Sequence, residues 1–438
     1  MKKYSILFIT LCVVSSFSQD MPVRTQEVQH ISSIVAEPFS HYCINVPPGY
    51  DEGSFDYPVI YYLHGIYGDH TTGLRTIPVL DSLIVNGSMK PSILVCVNAT
   101  RNNWYTGDAY RFIIDDLIPH IDATYRTLGD DGRVVMGFSM RGIGTFRCAF
   151  TDPEMFKAMV SYDGCNSSIV STLESNLTNV INSGIKIKWY IGEAYPDFFS
   201  SALEVHTILD NNNYPHDNTE LPGVGHTEVI GYDNGIVKNP VRLSEGFKFL
   251  SEHVSPQSIT ISPESGDYYG AKTVTIEPHL DNAELYYTLD GSLPTPSSTD
   301  YDGPFEISDT VTVHAALFAS GSGDPRGVPQ MAYYPHRTLW NPIAPQAPTL
   351  GLDYEVYTGQ YEKLPDFTTL SLDLSGTTSN LWLNDVRQPD PFAAILHGYV
   401  KVETEGFYQF YINSDDGARR LTCQHVKGRC RSERAECS

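Results

Sequence analysis

The stretch Val134-Val135-Met136-Gly137-Phe138-Ser139-Met140-Arg141-Gly142 decides the fold of this chain. Its apolar start predicts a buried strand, and the residues from Ile143 to Phe150 favour a helix. A strand, a tight Gly-flanked turn and a helix are the context of a nucleophile elbow, which exposes the hydroxyl of Ser139 above a sheet. Glycine is usual two residues after that serine. Arg141 stands there instead, and its bulky side chain fits the turn only if it points outward.

A second pattern lies upstream, at Val59-Ile60-Tyr61-Tyr62-Leu63-His64-Gly65. This β-branched and aromatic run is typical of a buried parallel strand. The loop after such a strand supplies one oxyanion-hole amide in α/β-hydrolases, so we expect the amides of Met140 and of Gly65 or Ile66 to bind an oxyanion. The two patterns in this order favour a nucleophilic Ser139 over the alternative, a glycine-rich turn with a capping serine.

A nucleophilic serine needs a base and an acid, which follow it along the chain. We predict that His226, on a glycine-rich loop, is the general base and that Asp197, after the predicted strand from Ile185 to Ile191, orients it. The alternative acid is Glu193, and Asp163, after an earlier strand, is a third candidate. Asp197 also precedes an amphipathic helix, where it could act only as an N-cap.

Two aromatic residues, Trp104 and Tyr105, lie in a polar stretch after the predicted strand from Ile93 to Val97. That loop should reach the carboxyl edge of the sheet. Aromatic rings there could stack on a sugar or on an aromatic acyl group, and the alternative is that they pack the loop onto the domain.

The region from about Val28 to Val254 resembles an esterase family that includes esterase D-type enzymes, feruloyl esterases, acetyl xylan esterases, enterochelin esterases and mycolyltransferases. The segments that carry the resemblance are Tyr61-Tyr62-Leu63-His64-Gly65, Asp115-Asp116-Leu117-Ile118-Pro119, the Ser139 elbow, Asp152-Pro153-Glu154-Met155-Phe156, and Gly223 to His226. The resemblance implies an α/β-hydrolase fold with a mostly parallel sheet flanked by helices. It also implies a triad of Ser139, Asp197 and His226 that hydrolyses esters without a cofactor.

Composition narrows the partners of this 438-residue chain. A net charge of −23 argues against nucleic-acid partners and anionic membranes, and no internal stretch predicts membrane insertion. Eight cysteines are too few for a disulfide scaffold, and the sequence does not determine how they pair. It does not determine the oligomeric state either.

Residues 1–18 have the pattern of a secretory signal peptide. Two lysines precede a short apolar core from Ile6 to Val14, and small residues follow it. We therefore expect a secreted, periplasmic or cell-surface protein whose hydrolase domain occupies residues 19–254.

Two all-β modules are predicted after the hydrolase domain. Residues 256–320 show short strands between turns, and Tyr286 to Thr295 resembles the C-terminal module of chitobiases and β-hexosaminidases. This module is expected to bind sugar or, by preference, to act as a spacer. A proline-rich linker is predicted over residues 321–348.

Residues 349–438 resemble a protective-antigen-type (PA-fourteen) β module that lacks some of its strands. In lectin members of that family an Asp-Asp pair holds calcium, which predicts a calcium site at Asp415 and Asp416. The alternative is a turn that these two residues form with Gly417. The tail from Thr422 to Ser438 shows no strand alternation, so we expect it to be poorly ordered.

The sequence therefore predicts an exported serine esterase that removes acetyl or feruloyl groups from a polysaccharide or oligosaccharide. Two alternatives remain open at this stage. One is a non-catalytic glycan-binding or adhesion protein with a decayed hydrolase domain, for which Arg141 is the main support. The other is an acyltransferase that excludes water.

Overall fold

The computed structural model describes residues 24–36, 39–65, 68–98, 104–233, 236–254, 257–337, 350–359, 367–378, 392–397, 421–422 and 431–432. The chain divides into two compact units. One comprises Ser18–Arg337, and the other includes the residues from Thr338 onward. The predicted signal peptide lies outside the described residues.

The first unit is built on an eight-stranded sheet in the order β1-β2-β4-β3-β5-β6-β7-β8. The strands β3 to β8 run parallel, and β1 and β2 are antiparallel to their neighbours. Their bounds are Thr25–Val28, Tyr42–Asn45, Val59–Leu63, Ile93–Val97, Arg133–Phe138, Ala158–Tyr162, Lys186–Gly192 and Asp217–Leu221. This mostly parallel sheet confirms the predicted α/β-hydrolase fold, including the predicted strands β3, β4, β5 and β7.

Helices cover both faces of this sheet. The bounds of α1 to α7 are Ile77–Val85, Asp108–Arg111, Ile118–Thr124, Met140–Thr151, Ser167–Ser183, Pro196–Asn211 and Pro240–His253, and a π-helix at Phe112–Leu117 joins α2 to α3. Along β3, Tyr61 packs into one hydrophobic core and Tyr62 into the other. Strands that are buried on both faces have nearly continuous apolar sequences. These strands could therefore be predicted well from the sequence. Within the described residues, no helix combines the length and apolar character needed to cross a membrane.

A β-sandwich completes the first unit. Two short strands, β9 (Tyr232–Asp233) and β10 (Ile236–Val237), precede α7. The sandwich packs the sheet β11-β12-β15 against the sheet β14-β13-β16-β17. The bounds of β11 to β17 are Ile259–Ser262, Lys272–Pro278, Ala283–Thr288, Thr299–Asp300, Phe305–Ile307, Val311–Ala319 and Pro325–Tyr334.

The predicted boundary of the linker is wrong. Residues 325–334 form β17, which pairs with β16 along most of its length, so the sandwich extends well past residue 320. The predicted proline-rich linker therefore begins too early, because its first prolines belong to a strand.

The sandwich packs directly on the hydrolase domain. Phe318 of β16 meets Phe55 edge-on, with ring centroids 5.4 Å apart. Leu293 lies against Gly53, where a Cβ would come within 2.5 Å of its Cδ2 atom. Gln330 Nε2 also donates a hydrogen bond to the Gly87 carbonyl at 3.4 Å. These apolar contacts are continuous with the hydrolase core, so the module is docked rather than a free spacer.

The second unit contains an antiparallel sheet in the order β19-β18-β20, with bounds Leu374–Thr378, Leu352–Thr358 and Phe392–His397. A two-stranded pair, β21 (Leu421–Thr422) and β22 (Arg431–Ser432), follows. Asp415 and Asp416, the predicted calcium ligands, lie outside the described residues. The resemblance of this region to the PA-fourteen module stays a prediction.

Candidate active site

Ser139 occupies the predicted elbow between β5 and α4. Its backbone has φ 65° and ψ −132°, a left-handed conformation that a residue with a side chain rarely adopts. Such strain persists only where the surrounding structure enforces it, and it is frequent at active sites. Here the Ser139 amide donates to the Tyr162 carbonyl at 2.8 Å, which ties the elbow to the end of β6. The side chain of Ser139 is buried.

The close approach of helix and strand depends on Gly142, one position later than the usual signature. A Cβ on Gly142 would come within 2.5 Å of Ser161 Oγ and within 2.9 Å of Gly164 Cα. Any side chain would therefore push α4 off β6. The closest approach of helix and strand is therefore made at residue 142 and not at residue 141.

His226 reaches the serine as predicted from the sequence. Its Nε2 atom lies 2.7 Å from Ser139 Oγ, so the hydroxyl can donate its proton directly to the ring. The histidine opens a short 3-10 helix, His226–Glu228, whose N-cap amide on Gly225 donates to Glu228 at 2.7 Å. Because this helix fixes the backbone at residue 226, the ring is presented to the serine from a rigid loop.

The carboxylate beside His226 is Asp163, not Asp197. His226 Nδ1 donates to Asp163 Oδ2, and the Gly192 amide donates to Asp163 Oδ1 at 2.7 Å. Asp163 is fully buried at the carboxyl end of β6, directly beside the strand that carries Ser139. A carboxylate that accepts from the Nδ1–H of an imidazole fixes the tautomer and the orientation of the ring.

The two acids preferred from sequence lie elsewhere. Asp197 is exposed in the first turn of α6, where a carboxylate interacts favourably with the helix dipole. Glu193 is also exposed, and its Oε2 accepts from the Gly223 amide at 3.1 Å. The prediction of Asp197 as the orienting acid is therefore corrected to Asp163, and Glu193 instead anchors the loop that carries the histidine.

An aromatic wall surrounds His226. Phe138 stacks on the imidazole with a centroid distance of 5.1 Å, and Tyr195 and Phe198 lie at 5.4 and 5.8 Å. Tyr195 is 45% exposed, so its ring faces solvent beside the reactive pair. Sequence reasoning did not assign these residues, although Phe138 and Tyr195 flank two motifs that it did identify.

The predicted oxyanion groups lie around Ser139. Met140 is the first residue of α4, where backbone amides lack intrahelical partners. Gly65 follows β3, and a Cβ on it would lie 3.8 Å from Ser139 Cβ. Ile66 lies outside the described residues.

Arg141 points inward, contrary to the expectation from sequence. The side chain is fully buried, and its Nη1 donates to the Gly65 carbonyl. The same carbonyl also accepts from the Gly68 amide at 3.1 Å and from His64 Nδ1 at 3.0 Å. Burial lowers the pKa of the guanidinium.

Trp104 and Tyr105 differ in burial, and each fits one of the two roles that the sequence predicted for them. Tyr105 is fully buried, packs against Gly144 of α4 and presents its ring to the Arg141 guanidinium at 5.5 Å, so it packs the loop. Trp104 is 40% exposed and has φ 54°. Of the two rings, only that of Trp104 remains available for a ligand.

Comparison with known proteins identifies two segments. Residues 40–183 match the family model described as "Putative esterase". Residues 263–328 match the model described as chitobiase/beta-hexosaminidase C-terminal domain. Both resemblances predicted from the sequence are confirmed over these residues. The esterase match contains Ser139 and Asp163 and ends before His226.

Similar curated proteins are esterases. The chain is 34% identical over 113 residues to an endo-1,4-beta-xylanase/feruloyl esterase of Xylanibacter ruminicola, covering 23% of this chain and 15% of that protein. It is 31% identical over 129 residues to an esterase of Mycobacterium tuberculosis, covering 27% and 28%. The chain thus spans between about a seventh and a quarter of the length of these relatives. A solved ferulic acid esterase of Anaeromyces mucronatus aligns at 18% identity with a TM-score of 0.42, covering 56% of this chain and 98% of that one.

Proposed function

We propose that this protein is an exported serine esterase that hydrolyses acetyl or feruloyl esters on carbohydrate. The observation that carries the proposal is the continuous hydrogen-bonded series Ser139–His226–Asp163 beneath the elbow. The family match over residues 40–183 and the names of the curated relatives support the same class of reaction. Export rests on the sequence of residues 1–18 alone.

The geometry suits acyl transfer through a covalent intermediate. His226 Nε2 takes the hydroxyl proton as Ser139 Oγ attacks the ester carbonyl, and the resulting oxyanion meets amides at Met140 and at the Gly65 turn. The imidazolium is stabilised by Asp163 and then gives its proton to the departing sugar oxygen, which leaves as a hydroxyl group. Water, activated by the same histidine, attacks the acyl-serine and releases the acid, which returns Ser139 to its starting state.

Trp104 is proposed as a binding surface for the substrate. It is an exposed aromatic ring that follows β4 at the carboxyl edge of the sheet. A ring at that edge can stack on a ferulate or a sugar. We expect Trp104→Ala to raise KM several-fold for methyl ferulate and to leave kcat nearly unchanged. An unchanged KM for every substrate that the enzyme turns over would contradict this role.

The decisive experiment measures hydrolysis of p-nitrophenyl acetate and methyl ferulate by the chain and by four variants. Ser139→Ala and His226→Ala test the nucleophile and the base. Asp163→Asn tests the acid, and Asp197→Asn is its matched control, since both change one carboxylate into an amide. We expect the first three to lower kcat by on the order of 10³-fold or more, and Asp197→Asn to stay within about threefold of the unchanged chain.

The outcomes separate the alternatives. Turnover that survives in Ser139→Ala would rule out the serine mechanism. A large loss in Asp197→Asn with little loss in Asp163→Asn would return the acid role to Asp197. A folded chain without turnover on either ester would favour a non-catalytic glycan-binding role.

A further inference from the structure

The C-terminal end of α6 carries a group of side chains that the esterase mechanism does not use. His206 and Asp210 are four residues apart on this helix and therefore share one face. His216 lies just before β8, at the point where the chain returns to the sheet. One ligand atom from each of the three side chains lies within 4.8 Å of the others.

The ring of His216 is fixed in place and in tautomer. The side chain is only 3% exposed, and its imidazole stacks on Trp189 with a centroid distance of 5.2 Å and an interplanar angle of 1°. Its Nδ1 atom lies 2.8 Å from the Tyr214 carbonyl oxygen, which can only accept. Nδ1 therefore carries a proton, and Nε2 is the nitrogen that faces the other two side chains.

Histidines that bind metal ions usually donate their second ring N–H to a carbonyl or a carboxylate in this way. His206 Nδ1 lies 2.8 Å from His216 Nε2, and Asp210 oxygens lie 3.5 Å from His206 Nε2 and 4.0 Å from His216 Nε2. Ligand atoms of a tetrahedral zinc ion with bonds near 2.0–2.1 Å are about 3.3 Å apart. Because one ligand atom from each side chain is already within 4.8 Å of the others, rotation of the partly exposed His206 and the exposed Asp210 can bring one His206 nitrogen, His216 Nε2 and one Asp210 oxygen to that spacing.

We propose that His206, Asp210 and His216 bind a transition-metal cation of the zinc class. Two imidazoles and one carboxylate are ligands suited to Zn²⁺, and water can complete the coordination because Asp210 is 64% exposed. The ion replaces the proton that otherwise joins the two imidazoles. It ties the last turn of α6 to the start of β8.

A second group, formed by Glu27, His41 and His70, satisfies the same distance criterion but lacks this support. His70 Nε2 is already hydrogen-bonded to Glu27 at 2.7 Å. The distal nitrogens, His41 Nε2 and His70 Nδ1, are buried without a hydrogen-bond partner among the described residues. Unlike the ring of His216, neither ring has its distal nitrogen held by a hydrogen bond within the described part of the chain, and the group serves as an internal control.

The test is zinc titration of the full chain, purified without a polyhistidine tag and freed of metal with a chelator. Calorimetry at pH 7.5 should find one tightly bound ion, and zinc should raise Tm. His206→Ala and Asp210→Asn should each weaken binding by more than about tenfold and abolish the rise in Tm. His41→Ala should retain both effects.

A second readout identifies the ligands. X-ray absorption of the zinc-loaded chain should show two imidazoles in the first coordination sphere, and acidification to pH 5 should release the ion because protonated imidazole cannot bind metal. Failure of the unchanged chain to bind zinc would overturn the proposal. So would binding that survives in His206→Ala, or a loss confined to His41→Ala.

Discussion

Arg141 replaces a glycine at the nucleophile elbow, and its charge is buried. Its Nε and Nη2 atoms have no hydrogen-bond partner among the described residues, and Nη1 donates to the Gly65 carbonyl. Burying a cation without a carboxylate partner is costly. Despite this cost, the buried guanidinium contacts the turn after β3, which lies beside the nucleophile. We infer that Arg141 positions this turn rather than acting on the substrate.

We predict that Arg141→Gly lowers kcat by about tenfold and leaves KM within about twofold. The reason is that a displaced oxyanion donor weakens stabilisation of the transition state more than binding of the ground state. Arg141→Lys should recover part of the loss, since an ammonium group can still donate to the Gly65 carbonyl. Steady-state kinetics on p-nitrophenyl acetate measure both constants. Equal kcat values for Arg141→Gly and the unchanged chain would show that the buried charge has no part in positioning.

The juxtaposition of Ser139 and His226 could be predicted from the sequence because each lies in a short motif. The elbow is recognised in the sequence by the preceding strand and its flanking glycines. The histidine is recognised by its glycine-rich loop, which follows a later strand. Asp163 has no such motif. What distinguishes it from Asp197 is complete burial next to the histidine ring, and burial depends on the packing of strands and loops that are distant in sequence.

At the scale of elements, parallel strands bring the site together. Ser139, Asp163 and Gly65 follow β5, β6 and β3, and all three strands end at the same edge of the sheet. The loop with His226 follows β8, which lies three places from β5 in the sheet, with β6 and β7 between them. This arrangement explains why the acid after β6 reaches the histidine: β6 is the direct neighbour of the nucleophile strand.

The strand β17 shows where local composition misleads. Pro325 and Pro329 in this segment are typical of a linker, because proline cannot donate a ladder hydrogen bond. However, β17 is the last strand of its sheet, and an edge strand has one side on which a missing donor costs nothing. Position in the sheet, which the sequence does not reveal, decides between linker and strand.

The neighbouring strand β16 carries a buried histidine that makes the sandwich sensitive to acid. Burial lowers the pKa of His314 to about 4, although the nearby Asp290 carboxylate opposes the shift. The unfolded chain binds this proton near pH 6.5 and the folded chain does not. The stabilising effect of the neutral ring is therefore complete above pH 6.5 and is lost as the pH falls toward 4.

We predict that the Tm of the unchanged chain falls further between pH 7.5 and pH 5 than the Tm of its His314→Gln variant. The variant has no imidazole to protonate in the unfolded state, so this part of the pH dependence should disappear even if the variant is less stable at both pH values. Differential scanning calorimetry at the two pH values gives the comparison. Identical pH dependence in both chains would show that His314 is protonated without loss of the fold.

At the scale of the whole molecule, the sandwich covers an apolar surface of the hydrolase domain. The contacts involve Phe55, which precedes β3, and Gly87, which precedes β4, so they lie at the amino edge of the parallel strands. The reactive groups lie at the carboxyl edge. This separation implies that the module stabilises the hydrolase domain without touching the substrate site.

We predict that Phe318→Ala destabilises the chain by roughly 3–5 kcal/mol, because it leaves a cavity where the two domains meet. The variant should keep the kcat of the unchanged chain at a temperature where it remains folded. Leu289→Ala, which truncates an exposed leucine of the same module, is the matched control and should change stability little. Urea unfolding and ester hydrolysis measure the two effects. A fall in kcat with unchanged stability would instead connect the sandwich to catalysis.

The sequence by itself determined the α/β-hydrolase sheet, the elbow at Ser139, the histidine that lies beside it and the presence of a following β-sandwich. These features follow from apolar periodicity and turn residues, which act over a few positions of the chain. The tertiary structure decided that Asp163 rather than Asp197 lies beside His226, that Arg141 turns inward, that β17 is a strand and that the sandwich is docked. Each of these depends on which groups are buried together, and burial is settled only when distant segments pack.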